Sequence, residues 1–425
     1  MIRIAVAFAT TLVAVLASSS PSPVAPAADG WPQLGGAGRD FRVDAAGLGV
    51  WDDAGPKSLW KRELGEGYSG IVSSGEILYT MYRPLAWLGL TTRDEEVAVA
   101  IDAATGKTLW EQRNPVEYLS AMRMEHGPGP HATPLLAGGR VFTTGTLGRL
   151  QALDPRTGKV LWAHELWKDK GGTVMDRGYS CSPLAWRDTV IVAVGGRGQA
   201  LMAFDQADGS VRWKSGSFAV SPSSPVLVSV DGQEQLVFFG GDEVVGLDPG
   251  TGKMLWSHLH ATQYKLNIAV PVSGEDGLLI VSSAYSGGTR ALRLTREGDT
   301  TSARELWFTN QMRIHHGNFI KIGGHIYGSS GDFGPAPMSA VDLATGEVVW
   351  RDRAFAKATI LLAGEQLIVL DEDGTLGLAT VSPKGLDVQA RAEIFSGRSW
   401  TAPTLVGTRL YMRDRKEMVA LELSR

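Results

Sequence analysis

The chain has 425 residues, 44% of them hydrophobic, with 52 Gly and 20 Pro. That many turn-forming residues beside that much apolar content describe short strands joined by turns, and exclude a disordered chain. The formal net charge is −4 and no basic run occurs, which excludes the electrostatic footprint of a nucleic-acid binder.

Arg3 precedes an uncharged apolar run from Ile4 to Ala17, followed by a Ser/Pro/Ala stretch containing "APAA" at 25–28. This reads as a secretory signal over residues 1–27 cleaved near Ala27. Its apolar core is too short for a mature membrane helix, and no later run approaches the ~20 residues of a span. Cys181 is the only cysteine, so no internal disulfide can form and none follows the signal to carry a lipid. The expectation is a periplasmic or secreted protein, acting as a monomer, without a transmembrane span in the mature chain. Residues 28–56 form a lead-in segment.

From residue 57 a hairpin signature recurs. "AIDAATGKTLW" (100–110) is followed by "ALDPRTGKVLW" (152–162), "AFDQADGSVRW" (203–213), "GLDPGTGKMLW" (246–256) and "AVDLATGEVVW" (340–350). The signature residues are Asp102, Gly106 and Trp110; Asp154, Gly158 and Trp162; Asp205, Gly209 and Trp213; Asp248, Gly252 and Trp256; and Asp342, Gly346 and Trp350. The Asp accepts bonds from turn amides, Gly supplies the positive φ of a tight turn, and Trp offers a flat face for packing between sheets. With weaker copies the closing aromatics are Trp60, Trp110, Trp162, Trp213, Trp256, Trp307, Trp350 and Phe395, spaced 43 to 52 residues apart. Such a period signals blades or solenoid turns.

Each unit carries four short strands. In the third, "SPLAW", "TVIVAVG" and "ALMAFD" lead to "SVRW". Four-stranded units at this period predict an all-β fold, an eight-bladed β-propeller over residues 57–425. After Phe395 come three strands without a closing hairpin strand, while "KSLWKREL" (57–64) is a fourth strand lacking its first three. The two fragments complete one blade, so the N-terminal strand is expected to close the ring.

The repeated "D-x-x-T-G-K-x-L-W" resembles the PQQ-like (quinoprotein-type) β-propeller repeat, and "WPQLGGAGRDFRV" (31–43) looks like the segment preceding the ring in bacterial secreted members. That family contains quinoprotein alcohol dehydrogenases and non-catalytic propellers such as the scaffold lipoprotein of the outer-membrane β-barrel assembly machine, so fold does not decide function. Many of the dehydrogenases carry adjacent cysteines beside the cofactor and a Ca²⁺ held by Glu, Asn and Asp. Here Cys181 stands alone and no calcium set can be placed residue by residue. The resemblance therefore implies a binding or scaffold propeller, with no catalytic residues assigned and no PQQ expected. A PQQ-dependent dehydrogenase of alcohols or sugars and an extracellular polymer- or carbohydrate-binding protein are the alternatives.

Loop lengths locate the working face. First-to-second and third-to-fourth turns are tight, whereas the other connections are long, including 83–96, 113–130, 164–180 and 329–337. Function concentrates on loops held by a rigid scaffold, so a protein partner or small ligand is expected on the long-loop face. "PLAWLGL" (84–90) places Leu85, Trp87, Leu88 and Leu90 on such a loop, either as a docking patch or folded back on their own blade. The starts of the innermost strands bring Tyr68, His131, Cys181, Ser182, Asn267, His315, His316, Lys357 and Trp400 to the channel mouth. Imidazole and thiolate suit zinc or copper, while Lys357 and Trp400 suit an anionic ring; the metal question stays open, and these residues could equally fill a wet channel with hydrogen bonds.

Overall fold

Eight blades of four antiparallel strands each follow one another around a ring in the computed structural model, which describes residues 30–424 apart from 46, 87–90, 121 and 335. Blade 1 spans Val72–Pro115, blade 2 Leu135–Glu165, blade 3 Leu184–Ser215 and blade 4 Val226–Leu259. Blade 5 spans Val272–Thr309, blade 6 Ile314–Asp352 and blade 7 Ala358–Glu393. Blade 8 takes three strands from Thr404–Glu422 and its outermost strand from Lys57–Glu63, with Trp60 opposite Ala420 and Glu63 opposite Glu417. The N-terminal strand thus closes the ring as its sequence requires.

The signature is a joint between blades as well as a turn. Asp102 Oδ1 accepts from the Thr105 amide (2.8 Å) and hydroxyl (2.7 Å), and Asp154, Asp248 and Asp342 hold their turns in the same way. Gly106 and Gly158 adopt φ of 70° and 69°. Each lies under the tryptophan of the preceding blade, so a Cβ on Gly158 would stand 2.4 Å from the Trp110 ring and one on Gly106 2.7 Å from Trp60. The indole N–H then donates to a carbonyl of that neighbouring turn: Trp60 to Ala103 (3.0 Å), Trp110 to Pro155 (2.9 Å), Trp162 to Gln206 (3.0 Å), Trp213 to Pro249 (3.0 Å) and Trp307 to Leu343 (2.7 Å). The glycine is required twice, by the turn and by the ring resting on it.

Every outer strand also carries a register shift, beside the closing tryptophan in seven blades and beside Ala390 in blade 7, whose Phe395 lies beyond the strand. Ala100 faces Trp110 while Ile101 faces Thr108, leaving Leu109 as the extra residue; Leu161, Arg212, Leu255, Leu306, Val349, Gln389 and Leu59 are its counterparts. A bulge of this kind bends the strand and increases its twist. It explains why Leu109 and Leu161, apolar and next to Trp, face solvent.

Apolar clusters fill the spaces between sheets; Phe142, Val190 and Phe204 lie between blades 2 and 3, and Ile191, Leu236 and Phe238 between blades 3 and 4. The lead-in joins this core. Trp31 pairs with Ser73 at the inner edge of blade 1 (2.9 and 2.8 Å), and Pro32 O accepts from Leu136 N of blade 2 (2.8 Å). Buried Arg39 donates to Ser182 O and Pro183 O of blade 3 (both 2.9 Å), and Arg42–Val43 pairs in parallel with the inner strand of blade 7. The segment then leaves across blade 8, where Gly49 N donates to Leu423 O (2.7 Å). It spans the channel at its tight-turn end and plugs it.

Candidate functional site

With one end plugged, the channel is a blind cup of about 200 Å³ opening on the long-loop face. Trp31, Leu34 and Phe41 of the lead-in form its floor, and Ile71, Ile268, Val270 and Ala402 contribute apolar wall. Short hydroxyl side chains tie successive blades together around it. Ser69 Oγ donates to Ala132 O (2.8 Å), Ser182 Oγ accepts from Thr133 N (2.9 Å), Ser224 Oγ accepts from Ser182 N (2.9 Å) and Thr404 Oγ donates to Ile71 O (2.7 Å). These groups satisfy the inner-strand amides and carbonyls that would otherwise face the channel unpaired.

Above them lies an aromatic belt. Tyr68 stacks on His131 (centroids 5.9 Å, 14°) and on Trp400 (5.2 Å, 28°), and Trp400 stacks on His316 (4.0 Å, 15°). His316 meets His315 at 3.7 Å, and His315 meets Tyr285 edge-on at 4.8 Å. Tyr285 in turn contacts Tyr264 (5.0 Å) and Phe333 (5.7 Å), which reach solvent at 57% and 77% exposure. The imidazoles are neutral at physiological pH. Burial, and then the Arg177 guanidinium, push His131 down to about 4; burial and Lys357 push His315 down to about 3, and His316 is held well below the usual imidazole range by burial and its neighbour His315.

Of the sequence-expected residues, Tyr68, His131, Ser182, His316 and Trp400 line the cup. Ser182 does so as a strut, with hydroxyl, amide and carbonyl all engaged. Cys181 lies instead in the core cluster of blade 3 with Leu184 and Ile191, and burial raises its thiol to about 11. Asn267 is fully buried, its amide donating to Gly240 O (2.6 Å). Lys357 Nζ stands 3.2 Å from His315 Nδ1 and donates to Asp332 O (3.0 Å); both residues are outside the lining. Leu85 is half-buried in a two-stranded hairpin, Leu85–Ala86 with Thr91–Thr92, whereas Trp87, Leu88 and Leu90 lie outside the described residues. The sequence reading did not single out Arg177 and His126, on long loops without a repeat to align them, Tyr285, in the short turn 284–287, or the floor residues of the lead-in.

Among the described residues no three His, Cys, Asp or Glu side chains gather into a metal set. The donors for a calcium–quinone centre are likewise not assembled here. Cys181 has no neighbouring cysteine, His316 already covers Trp400, and the cup is smaller than the roughly 300–1,000 Å³ of drug-sized ligand sites. The residues present do not fit that cofactor. No helix among the described residues is long and apolar enough to cross a membrane.

A plugged eight-bladed ring with an aromatic mouth defines the class: a β-propeller with one closed and one open end. A family model described as outer membrane protein assembly factor BamB matches residues 93–352, and the chain belongs to that family. Among solved structures it resembles BamB from Moraxella catarrhalis, at 17% identity and TM-score 0.56 over 86% of this chain and 100% of that one. It also resembles the quinohemoprotein alcohol dehydrogenase of Comamonas testosteroni, at 14% identity and TM-score 0.62 over 95% and 82%. Quinohemoprotein alcohol dehydrogenase ADHIIG from Pseudomonas putida HK5 is similar at 11% identity and TM-score 0.62, over 93% and 80%. At these identities the likeness is one of fold. No curated protein sequence matches the chain.

Proposed function

We propose that this protein is a non-catalytic propeller of the cell envelope, periplasmic or secreted, whose long-loop face docks a protein partner around a ligand-accepting mouth. The observation that carries the reading is the aromatic ridge Tyr264–Tyr285–Phe333, exposed at one end and meeting His315 of the channel belt edge-on at the other. Exposed aromatics on a rigid support are typical anchors of protein interfaces, and a neighbouring belt of rings holds them in place without further ordering cost. Family membership supports a role beside the outer-membrane assembly machinery. The sequence signal over residues 1–27 supports delivery across the inner membrane.

The test is co-purification of assembly-machinery components with the wild-type protein and with a Tyr264→Ser/Phe333→Ser double variant. Loss of those components with an unchanged melting temperature supports the reading. Equal recovery with the double variant removes the ridge as the docking surface.

A further inference from the structure

The cup has an unsatisfied donor that its structural duties do not explain. Among the described residues lining it, Arg177 carries the only formal charge and no carboxylate is present. Arg177 Nη2 donates to Glu125 Oε1 (2.8 Å) outside the cup, while Nη1 is enclosed with no acceptor at all. A guanidinium is always protonated; Glu125 pairs with Nη2 from outside the cup, and Nη1 remains a charged donor without an acceptor, the kind of group that takes an anionic oxygen. Carboxylate is the group whose geometry matches a guanidinium fork.

Size and polarity set the rest of the ligand. An apolar cavity of roughly 150 Å³ accepts benzene, so a cup of about 200 Å³ has room for one ring or a comparably compact apolar group. Ile71, Ile268, Val270 and the floor residues offer it an apolar seat. We propose that the cup binds a compact apolar carboxylate, its ring or chain seated on those residues and its carboxylate held by the Arg177 guanidinium. The inference rests on the reading of the mouth as a ligand site, and it is independent of the exposed ridge. Two sources carry this chemistry: a free aryl or alkyl acid, and a polypeptide whose C-terminal residue is apolar and whose terminal carboxylate is free, since such ends are captured by donors of this kind.

The experiment is calorimetric titration of the purified protein with 3-phenylpropanoate and its neutral amide at fixed ionic strength. A hexapeptide ending in Phe, with its C-terminus free or amidated, forms the second arm. The account expects both acids to bind and both amides to fail. It expects Arg177→Gln to weaken acid binding about tenfold or more, in line with loss of a charge-assisted hydrogen bond, at an unchanged melting temperature. Ala402→Leu, which narrows the wall, should weaken the same ligands with Arg177 intact. Binding of the free acid but not the peptide assigns the small-molecule source, and the reverse assigns the chain terminus. Acid and amide binding equally, an Arg177→Gln variant as tight as wild type, or no heat at millimolar acid would each overturn the proposal. Co-purification through Tyr264 and Phe333 would survive that result, so failure of the cup and failure of the docking reading are distinguishable.

Discussion

The joint between blades 4 and 5 is built differently from the joint between blades 1 and 2, and the difference explains the repeat. At the first joint Trp110 lies on Gly158 of the next blade, with Ala100 opposite it in its own sheet. At the second, blade 5 has a long hairpin, Gly288–Glu297 with Thr300–Thr309, and no Asp–Gly turn to receive a tryptophan. There the residue opposite the tryptophan is Gly246 in place of alanine, and Trp256 folds over it: a Cβ at 246 would collide with the indole nitrogen. The indole N–H now donates to Gln235 Oε1 of its own blade (2.8 Å), and Gln235 Nε2 donates to Thr301 Oγ in blade 5 (2.7 Å). A buried glutamine therefore bridges two blades where the ring-on-glycine contact is missing. The signature is thus read in pairs, tryptophan of one blade with glycine of the next, and where one member changes its partners change with it.

Breaking the pair at an intact joint has the largest expected effect. Trp110→Ala removes a buried ring and its bond to Pro155 and should cost roughly 3–5 kcal/mol in a denaturant melt. Gly158→Val meets the same ring and an unfavourable positive φ, and should destabilise comparably; a loss under 1 kcal/mol for either would deny the joint its role. A smaller loss, about 1–3 kcal/mol from overpacking, is expected for Gly246→Ala, which forces Trp256 off its own blade. The neighbouring Gly250→Ala, whose Cβ would come no nearer than 3.0 Å to Trp186, is the milder control.

The pH response of the blade 4–5 joint sharpens the contrast. His260 is buried beside it, Nδ1 accepting from Arg290 Nε (2.9 Å) and Nε2 facing Ser283 Oγ (2.8 Å). Burial and Arg290 push it down to about 3, so the unfolded chain takes up a proton that the folded one refuses. The contribution is intact above the ordinary imidazole value near 6.5 and is lost progressively as pH falls from there toward about 3. Melting temperatures followed from pH 7 to pH 4 should fall less steeply for His260→Gln than for wild type; identical slopes would contradict the assignment.

Strand count, closure and joint residues were legible in the sequence because each is written several times and a period exposes it. Asp102, Gly106 and Trp110 mean little alone and a great deal beside four copies. The bulges escaped notice, because a two-residue period has no place for the extra Leu109. At the mouth, nothing repeats. Tyr68, His131, His316 and Trp400 were reachable by counting strand starts, and their rings meet in one belt. The same counting carried Cys181 and Lys357 to the rim, but each turns behind the wall, where alternation along an extended chain alters direction with every residue. Arg177 and the Trp31–Phe41 floor were invisible because their positions depend on loop paths that no pattern encodes.

The unrepeated long-loop face, and not the repeated turn face, is the surface proposed to meet the partner. Photo-crosslinking from cells with the reactive residue placed at Phe333 on one face and at Thr157 on the other tests this directly. The account predicts adducts with an outer-membrane assembly component from position 333 and none from position 157. Adducts with that component from position 157 alone would contradict it.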